Sequence, residues 1–249
     1  MLRLASSLKR YRIEATDGAI GSVSDLLFDD HTWKLRWLVV DTGGWLGGAR
    51  VLVHPSMIGV ADDELETLAL HLSQVQVKNS PGRLSDRPVS QQMEDDLYNY
   101  YGWDPLWASS FFGADSGKAR RLAAGSGTKT MSPEGDPHLR SALAVVGYHV
   151  HASDGDIGHV QDFLVDDQNW LLAYLVVDTS YWWIGKHVLV SPFAVNAISY
   201  STSKVLLSIT QDQVKASPPW APNDPTDEVY QKSLHSHYQW PGYGWSSMP

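Results

Sequence analysis

His149 and His151 are the residues of this chain that are best placed to do chemistry. A spacing of two puts both rings on the same face of a strand. Imidazoles with a nearby carboxylate bind Zn(II) or Ni(II), and Asp154 and Asp156 follow closely. The sequence therefore admits a metal or small-ligand site here, and the alternative is a pair of ordinary surface histidines. No resident cofactor is indicated.

The acidic pairs Asp29-Asp30 and Asp166-Asp167 are the next candidates for a cation site. Adjacent residues of a strand point to opposite faces, and the spacing differs from that of a calcium-binding loop. A turn in which the carboxylates accept backbone N–H groups is therefore the favoured interpretation. Asp41 and Asp178 each close an apolar run, and for them too hydrogen bonding to loop N–H groups is favoured over catalysis.

Motifs of the common catalytic classes do not appear in the sequence. The chain has no Cys, which excludes disulfides, thiolate catalysis and Cys-ligated zinc. No Ser stands in a Gly-x-Ser-x-Gly context. The glycine-rich segment 43–48 lacks the Lys-Ser/Thr ending of a phosphate-binding loop and the helix that should follow it. The sequence therefore predicts a protein that is not an enzyme.

Tryptophans in loops and near the ends of helices are the best candidates for contact with another protein. Trp45 lies in the glycine-rich segment, and Trp182 and Trp183 occupy the corresponding loop later in the chain. Trp103 and Trp240 end two similar polar-to-aromatic segments. Trp is favoured as an anchor at protein interfaces. These rings either bind a partner or pack internally on a barrel.

A repeat with a period of 137 positions organises these residues. Placing 11–103 on 148–240 without a gap gives 35 identical pairs in 93 positions. The period is much longer than that of solenoid repeats, so each copy is predicted to be a domain. The acidic residues recur in both copies, whereas the histidines and the double Trp occur only in the second. We therefore expect any specialised site in the second copy.

Short apolar runs separated by turn residues are typical of β-strands. Asp17-Gly18 and Asp154-Gly155 predict tight hairpins, because Gly tolerates positive φ. Strands are predicted over 20–28, 33–40, 51–53 and 67–72, and over 170–177, 188–190 and 204–209 in the second copy. Ser73 and Thr210 are predicted to cap one short helical turn each, and Asp227 to cap a later helix.

These patterns predict a mainly β chain with two small antiparallel barrels in tandem, each followed by a short α-helix and an aromatic tail. A pseudo-twofold axis is expected to relate the copies, as in an isologous dimer. The predicted boundaries are barrel one at 1–81, its helix and tail at 82–112, a flexible linker at 113–138, barrel two at 139–218, and its helix and tail at 219–249.

The repeated segments resemble the PRC-barrel family, named for the cytoplasmic domain of the photosynthetic reaction-centre H subunit. The features that carry the resemblance, over about 8–81 and 145–218, are Asp17-Gly18-x-Ile20-Gly21, Asp29-Asp30 and Leu38-Val39-Val40-Asp41-Thr42 with their counterparts 137 positions later. The resemblance implies two small β-barrels that act through protein contacts. It leaves photosynthetic, ribosomal and other pathways open.

The charge of the chain argues against nucleic acid as a partner, and its hydropathy argues against a membrane-spanning segment. The net charge is −9 without a basic stripe, which argues against direct binding of nucleic acid. No apolar run is long enough to span a bilayer, and the first residues do not make a secretory signal. We expect a cytoplasmic protein that binds a protein partner or itself. A peripheral place in a membrane complex stays open.

Overall fold

The computed structural model describes residues 1–81, 83–84, 100–101, 138–180, 187–221 and 226–240. Within these ranges the chain is mainly β. The strands are β1 (Leu2–Leu4), β2 (Arg12–Ala15), β3 (Gly18–Asp29), β4 (Leu35–Asp41), β5 (Arg50–Val53), β6 (Ile58–Asp62), β7 (Thr67–Leu70), β8 (Arg83–Leu84), β9 (Leu139–Ser141), β10 (His149–Ala152), β11 (Gly155–Asp166), β12 (Leu171–Asp178), β13 (His187–Val190), β14 (Val195–Ser199) and β15 (Lys204–Leu207). The helices are α1 (Ala5–Leu8), α2 (Gln74–Lys78), α3 (Ala142–Val145), α4 (Gln211–Ala216) and α5 (Glu228–Tyr238), with 3-10 turns at Pro55–Met57 and Pro192–Ala194.

The strands form two mixed sheets, one dominated by each copy. The first has the order β6-β7-β2-β3-β4-β5-β8, and the second has the order β13-β12-β11-β10-β15-β14. The prediction of wholly antiparallel barrels needs correction, because β2 pairs in parallel with β7, and β10 with β15. A parallel pair needs a long crossover connection, and here the intervening strands of the same sheet provide it.

The first strand of each copy belongs to the sheet of the other copy. β1 pairs with β11, with Leu4 opposite Leu164, and β9 pairs with β3, with Ser141 opposite Leu27. Leu4 and Ser141 are equivalent positions of the repeat, as are Leu27 and Leu164, so the exchange is reciprocal and follows the predicted pseudo-twofold relation. The exchange of strands differs from the prediction of successive barrels at 1–81 and 139–218.

Two tryptophans form backbone hydrogen bonds between the two sheets. Trp33 and Trp170 were predicted to begin strands, but they precede β4 and β12 and have φ angles of 57° and 50°. This conformation turns the Trp33 carbonyl toward Leu172 N at 2.9 Å and the Trp170 carbonyl toward Leu35 N at 2.8 Å. The left-handed conformation is costly for a bulky residue, and the two backbone bonds between the copies offset that cost.

A continuous hydrophobic core runs through both copies. The rings of Phe28 and Phe163 lie 5.9 Å apart between centroids, and both side chains are fully buried. The same cluster contains Leu8 of the first copy and Val145 of the second, each on the short helix that follows an exchanged strand. Separating the copies would therefore expose apolar surface that burial stabilises at about 25 cal/mol per Å².

Ion pairs between the copies repeat the same symmetry. Arg3 Nε lies 2.6 Å from Asp167 Oδ2, and Arg140 Nε lies 2.5 Å from Asp30 Oδ2. Burial disfavours the charge of Arg3, but hydrogen bonds to Asp63 and Asp167 outweigh it and raise the pKa of the guanidinium. Each exchanged strand is therefore held by its backbone and by one arginine.

A second pair of carboxylates accepts hydrogen bonds from the last residue of β9 and from the helix that follows β1. Asp25 accepts from Ser141 Oγ at 2.6 Å, and Asp162 accepts from the Ser6 backbone N–H at 3.2 Å. Burial raises the pKa of Asp25, although the hydrogen bond from Ser141 acts in the opposite direction. These contacts satisfy polar groups that would otherwise be buried without partners.

The predicted helix caps are confirmed. Ser73 and Thr210 each form a capping box at the start of α2 and α4. Asp227 caps α5 by accepting from Tyr230 N at 2.8 Å.

Of the helix predicted after the first barrel, only residues 100–101 lie in the described part of the chain. Tyr100 donates to Gln76 O at 3.2 Å, a contact that α5 reproduces 137 positions later.

His54 is a buried histidine at the start of the first 3-10 turn. Its Nδ1 lies 2.7 Å from Ser56 Oγ, and its ring meets Trp37 edge-on at 5.5 Å between centroids. Burial, assisted by the positive charge of Arg36, lowers the pKa of His54 from 6.5 to about 4. The second copy has Ser191 at this position, and it caps the equivalent turn.

We expect His54 to make the free energy of unfolding depend on pH. Because its folded pKa lies below its unfolded pKa, the unfolded chain binds the extra proton. The stabilisation is complete at pH 7 and above, and it is lost as the pH falls from 6.5 towards 4. Between pH 7.5 and 5 the expected loss from this residue is about 2 kcal/mol.

Urea unfolding of the wild type and of His54→Ser at both pH values measures this contribution. Ser is the matched replacement, since the second copy uses it to cap the same turn. The difference in stability between the two pH values should shrink by about 2 kcal/mol in the variant. An unchanged difference would show that another group is responsible.

Candidate functional site

The Asp-Gly turns anchor the short helices. Asp17 Oδ1 accepts from Gln74 N at 2.7 Å, and Asp154 Oδ1 accepts from Gln211 N at 2.8 Å. The glycine after each aspartate has a φ of +140° or +158°, and a Cβ added there would lie 3.0 Å or 2.7 Å from a glutamine Nε2. Both predicted hairpins are present, and their aspartates link the first hairpin of each copy to the helix that follows β7 or β15.

Asp41 and Asp178 hold the loops that follow β4 and β12. Asp41 Oδ1 accepts from Gly43 N at 2.9 Å, and Asp178 Oδ1 accepts from Ser180 N at 2.8 Å. Burial works against ionisation of Asp178, but the hydrogen bonds from Ser180 and the nearby His159 outweigh it and lower its pKa. Both carboxylates make the loop contacts that the sequence favoured.

The two members of each acidic pair have different roles. Asp29 accepts from Thr32 N at 2.9 Å, and Asp166 accepts from Gln168 N at 3.1 Å, as expected for turn residues. The second acid of each pair forms the arginine ion pair between the copies. That role was missed, because the sequence does not show which residue reaches the turn from the other copy.

His149 and His151 do not assemble a metal site with a third ligand among the described residues. His151 Nδ1 lies 2.7 Å from Asp156 Oδ1, and this hydrogen bond lowers the pKa of Asp156. His149 is exposed and lies opposite His159 on β11. The described part of the structure therefore gives the metal or small-ligand hypothesis at this position no support.

The tryptophans that lie in the described ranges pack internally to a large extent. Trp45 is half-buried and packs against the main core. Trp240 is also half-buried, and it stacks on Tyr238 with 4.2 Å between ring centroids. Trp103, Trp182 and Trp183 lie outside the described residues, so their predicted roles stay predictions.

Helix α5 of the second copy contacts the sheet of its own copy and the short helix α4. His235 is buried, with Nε2 2.8 Å from the hydroxyl of Tyr174 on β12. His237 Nε2 donates to Gln213 O at 2.8 Å. Two of the histidines that distinguish this copy in the sequence therefore connect α5 to strand β12 and to helix α4.

An exposed apolar hairpin in the first copy was not anticipated. Val60 on β6 is 86% exposed, and Leu65 in the turn before β7 is 63% exposed. The equivalent positions of the second copy hold Ala197 and Thr202. β6 also stands at the end of its sheet. The repeat contains this signal, because the first copy has large apolar residues where the second has a small or a polar one.

A shallow depression of about 500 Å³ lies beside this hairpin. Its lining includes Val60 with the acidic residues Glu14, Asp62 and Asp63. Asp63 is already engaged by Arg3 and by the hydroxyl of Tyr11. The surface therefore combines an exposed strand edge, one exposed branched side chain and negative charge.

Asp30, His31 and His138 are the one group of at least three potential metal ligands brought together among the residues that the structure describes. Their ligand atoms all lie within 4.8 Å of one another. An open cavity of about 490 Å³ adjoins them, and β14 forms its far side. His31 follows β3, and His138 directly precedes the exchanged strand β9, so only the strand exchange brings the two rings together.

Comparison with known families identifies the first copy. Residues 2–70 match the PRC-barrel domain, and a second, similar β-rich region follows. A search of curated proteins found no match. No helix in the described ranges has the length and apolar character needed to cross a membrane.

Proposed function

We propose that this chain, whose first copy is a PRC-barrel domain, is a non-enzymatic module for protein interaction or assembly. A PRC-barrel domain suggests this general class of function. The pairing of two similar units by strand exchange is consistent with a scaffold, because it fixes the surfaces of both copies relative to each other.

The structural roles of the acidic residues support a role other than catalysis. Asp17, Asp154, Asp41 and Asp178 accept hydrogen bonds from the backbone of helices and loops. The acidic pairs form turns and bind arginines of the other copy. Side chains committed in this way are poorly suited to serve as general acids or bases.

The observation that carries the proposal is the exposed apolar hairpin on the edge strand β6. An edge strand presents backbone groups that can pair with an extended segment of another protein. Val60 offers that segment an apolar contact, while Glu14 and Asp62 favour a partner with basic residues. The second copy has Ala197 and Thr202 at the equivalent positions, so the corresponding surfaces of the two copies differ.

A capture experiment from the source cells tests this surface. The wild type is compared with Val60→Ala/Leu65→Thr, which installs the residues that the second copy carries. Val229→Ala is the matched control, because Val229 is 75% exposed on α5 and lies outside the hairpin. We expect the double variant to bind its partner about tenfold more weakly, which corresponds to about 1.4 kcal/mol.

The captured protein is then purified, and its affinity for all three chains is measured by calorimetry. Equal affinity for the wild type and the double variant would contradict the assignment of this surface. Trp45→Ala tests the alternative anchor in the glycine-rich loop. If the captured protein is the chain itself, loss of concentration-dependent association in the double variant identifies self-assembly.

A further inference from the structure

We propose that Asp30, His31 and His138 form a binding site for a divalent transition-metal ion that links the two copies. The inference is independent of the proposed function and of the histidine pair on β10. It rests on the arrangement of three ligand atoms, on the residue that holds the carboxylate, and on the cavity beside them.

The distances between the ligand atoms suit coordination. Asp30 Oδ1 lies 3.2 Å from His31 Nδ1 and 3.1 Å from His138 Nδ1. Ligands bound at about 2.0–2.1 Å in tetrahedral geometry are separated from one another by about 3.3 Å. The two rings meet edge-on, 4.1 Å apart between centroids. Both imidazoles thus present a nitrogen close to the same carboxylate oxygen, with separations close to those that zinc requires.

Arg140 orients the carboxylate. Its Nε lies 2.5 Å from Asp30 Oδ2, the oxygen that does not face the histidines. Metal-binding carboxylates are commonly held in this way by a hydrogen bond to the second oxygen. Arg140 also lies 4.5 Å from the centre of the Tyr200 ring, which keeps the guanidinium in place. Asp30 Oδ1 therefore stays directed towards His31 and His138.

The adjoining cavity leaves room for the remaining coordination positions. It measures about 490 Å³, and its lining includes Phe193, Asn196 and Ile198 of the second copy. Three protein ligands leave at least one position of a tetrahedral ion for water or another small ligand. Imidazole nitrogen with carboxylate oxygen suits zinc, nickel or copper better than magnesium or calcium.

The ligand set occurs at only one of the two pseudo-equivalent places. The other turn has Asp167 and Gln168 at the positions of Asp30 and His31, and Met1 stands at the position of His138. The arginine ion pair is present at both places, so it does not depend on the histidines. A bound ion would connect the turn after β3 to the start of β9 and so stabilise one of the two exchanged strands.

Calorimetry and thermal unfolding with Zn(II) on the full chain without an affinity tag test the site. The test variant is His31→Gln/His138→Gln, and Gln already stands at the place equivalent to His31. His149→Ala/His151→Ala is the matched control, since it removes two histidines elsewhere. We expect one ion per chain and a raised unfolding midpoint in the wild type and the control, because a ligand that binds only the folded state stabilises it.

In the test variant the heat of binding and the rise in the midpoint should both disappear, while the midpoint without zinc stays close to that of the wild type. No heat from the wild type would overturn the proposal. Equal binding by the test variant, or loss of binding in the control alone, would overturn it as well.

Discussion

Two halves of the chain, 1–112 and 138–249, should each be unstable alone and should bind each other tightly when mixed. Each half keeps one exchanged strand and lacks the strand that completes its own sheet, since β1 pairs with β11 and β9 with β3. Each half alone would also expose Phe28 or Phe163, and it would separate one arginine and one aspartate from their ion-pair partners in the other half.

We expect the mixed halves to form a one-to-one complex with a Kd of about 1 μM or lower, which corresponds to about 8 kcal/mol. Circular dichroism follows the gain in structure on mixing, and light scattering after gel filtration gives the stoichiometry. The control is a first half that begins at residue 10 and so lacks β1 and α1. It should bind at least tenfold more weakly, because one exchanged strand is missing.

Halves that are both monomeric, fully stable and without mutual affinity would contradict the exchange. The same result would remove the physical basis for a site between the copies. If the halves associate but the shortened half binds equally well, then the core contacts outweigh strand β1 in holding the copies together.

Replacement of Gly158 by Ala should be among the most destabilising single changes in the chain. Gly158 has a φ of +145°, and an added Cβ would lie 1.9 Å from the backbone oxygen of Asp178. Gly21 repeats this geometry, with a φ of +152° and an added Cβ 2.0 Å from Asp41 O. Backbone cannot move aside as a flexible side chain does, so the strands must separate or the loop must shift.

The expected loss is about 4 kcal/mol for either variant, from left-handed strain and overpacking together. Gly44→Ala is the matched control in the glycine-rich segment, because an added Cβ there meets no atom within 4 Å. Chemical unfolding at pH 7.5 measures all three variants. A loss below about 1 kcal/mol for Gly158→Ala would show that Asp178 and its loop yield easily.

The local structure could be predicted from the sequence to a large extent. Three kinds of element depend on residues that are close in sequence or on the turn-forming properties of particular side chains. They are the Asp-Gly hairpins, the helix caps at Ser73, Thr210 and Asp227, and the strands that end at Asp41 and Asp178. The repeat added the pseudo-twofold relation, because two similar units can bury similar faces against each other. The match of residues 2–70 to a PRC-barrel domain agrees with the resemblance of those segments.

The roles of particular polar residues could be predicted only in part. The acidic pairs were correctly interpreted as turns, but the partners of Asp30 and Asp167 come from arginines more than 100 positions away. The spacing of the histidine pair on β10 predicted a metal site there, whereas the structure places His31 next to His138. Spacing along one strand does not reveal which residue reaches a turn from another part of the chain.

The sequence by itself determined the β-rich class, the turns and the existence of two similar units, because these follow from periodicity and local hydrogen bonding. Only the tertiary structure decided that β1 and β9 are exchanged, that Trp33 and Trp170 turn their carbonyls towards the opposite copy, and that Asp30, His31 and His138 meet. A short apolar strand can complete its own sheet or that of its neighbour with similar hydrogen bonds. The choice is made by the packing of both copies together.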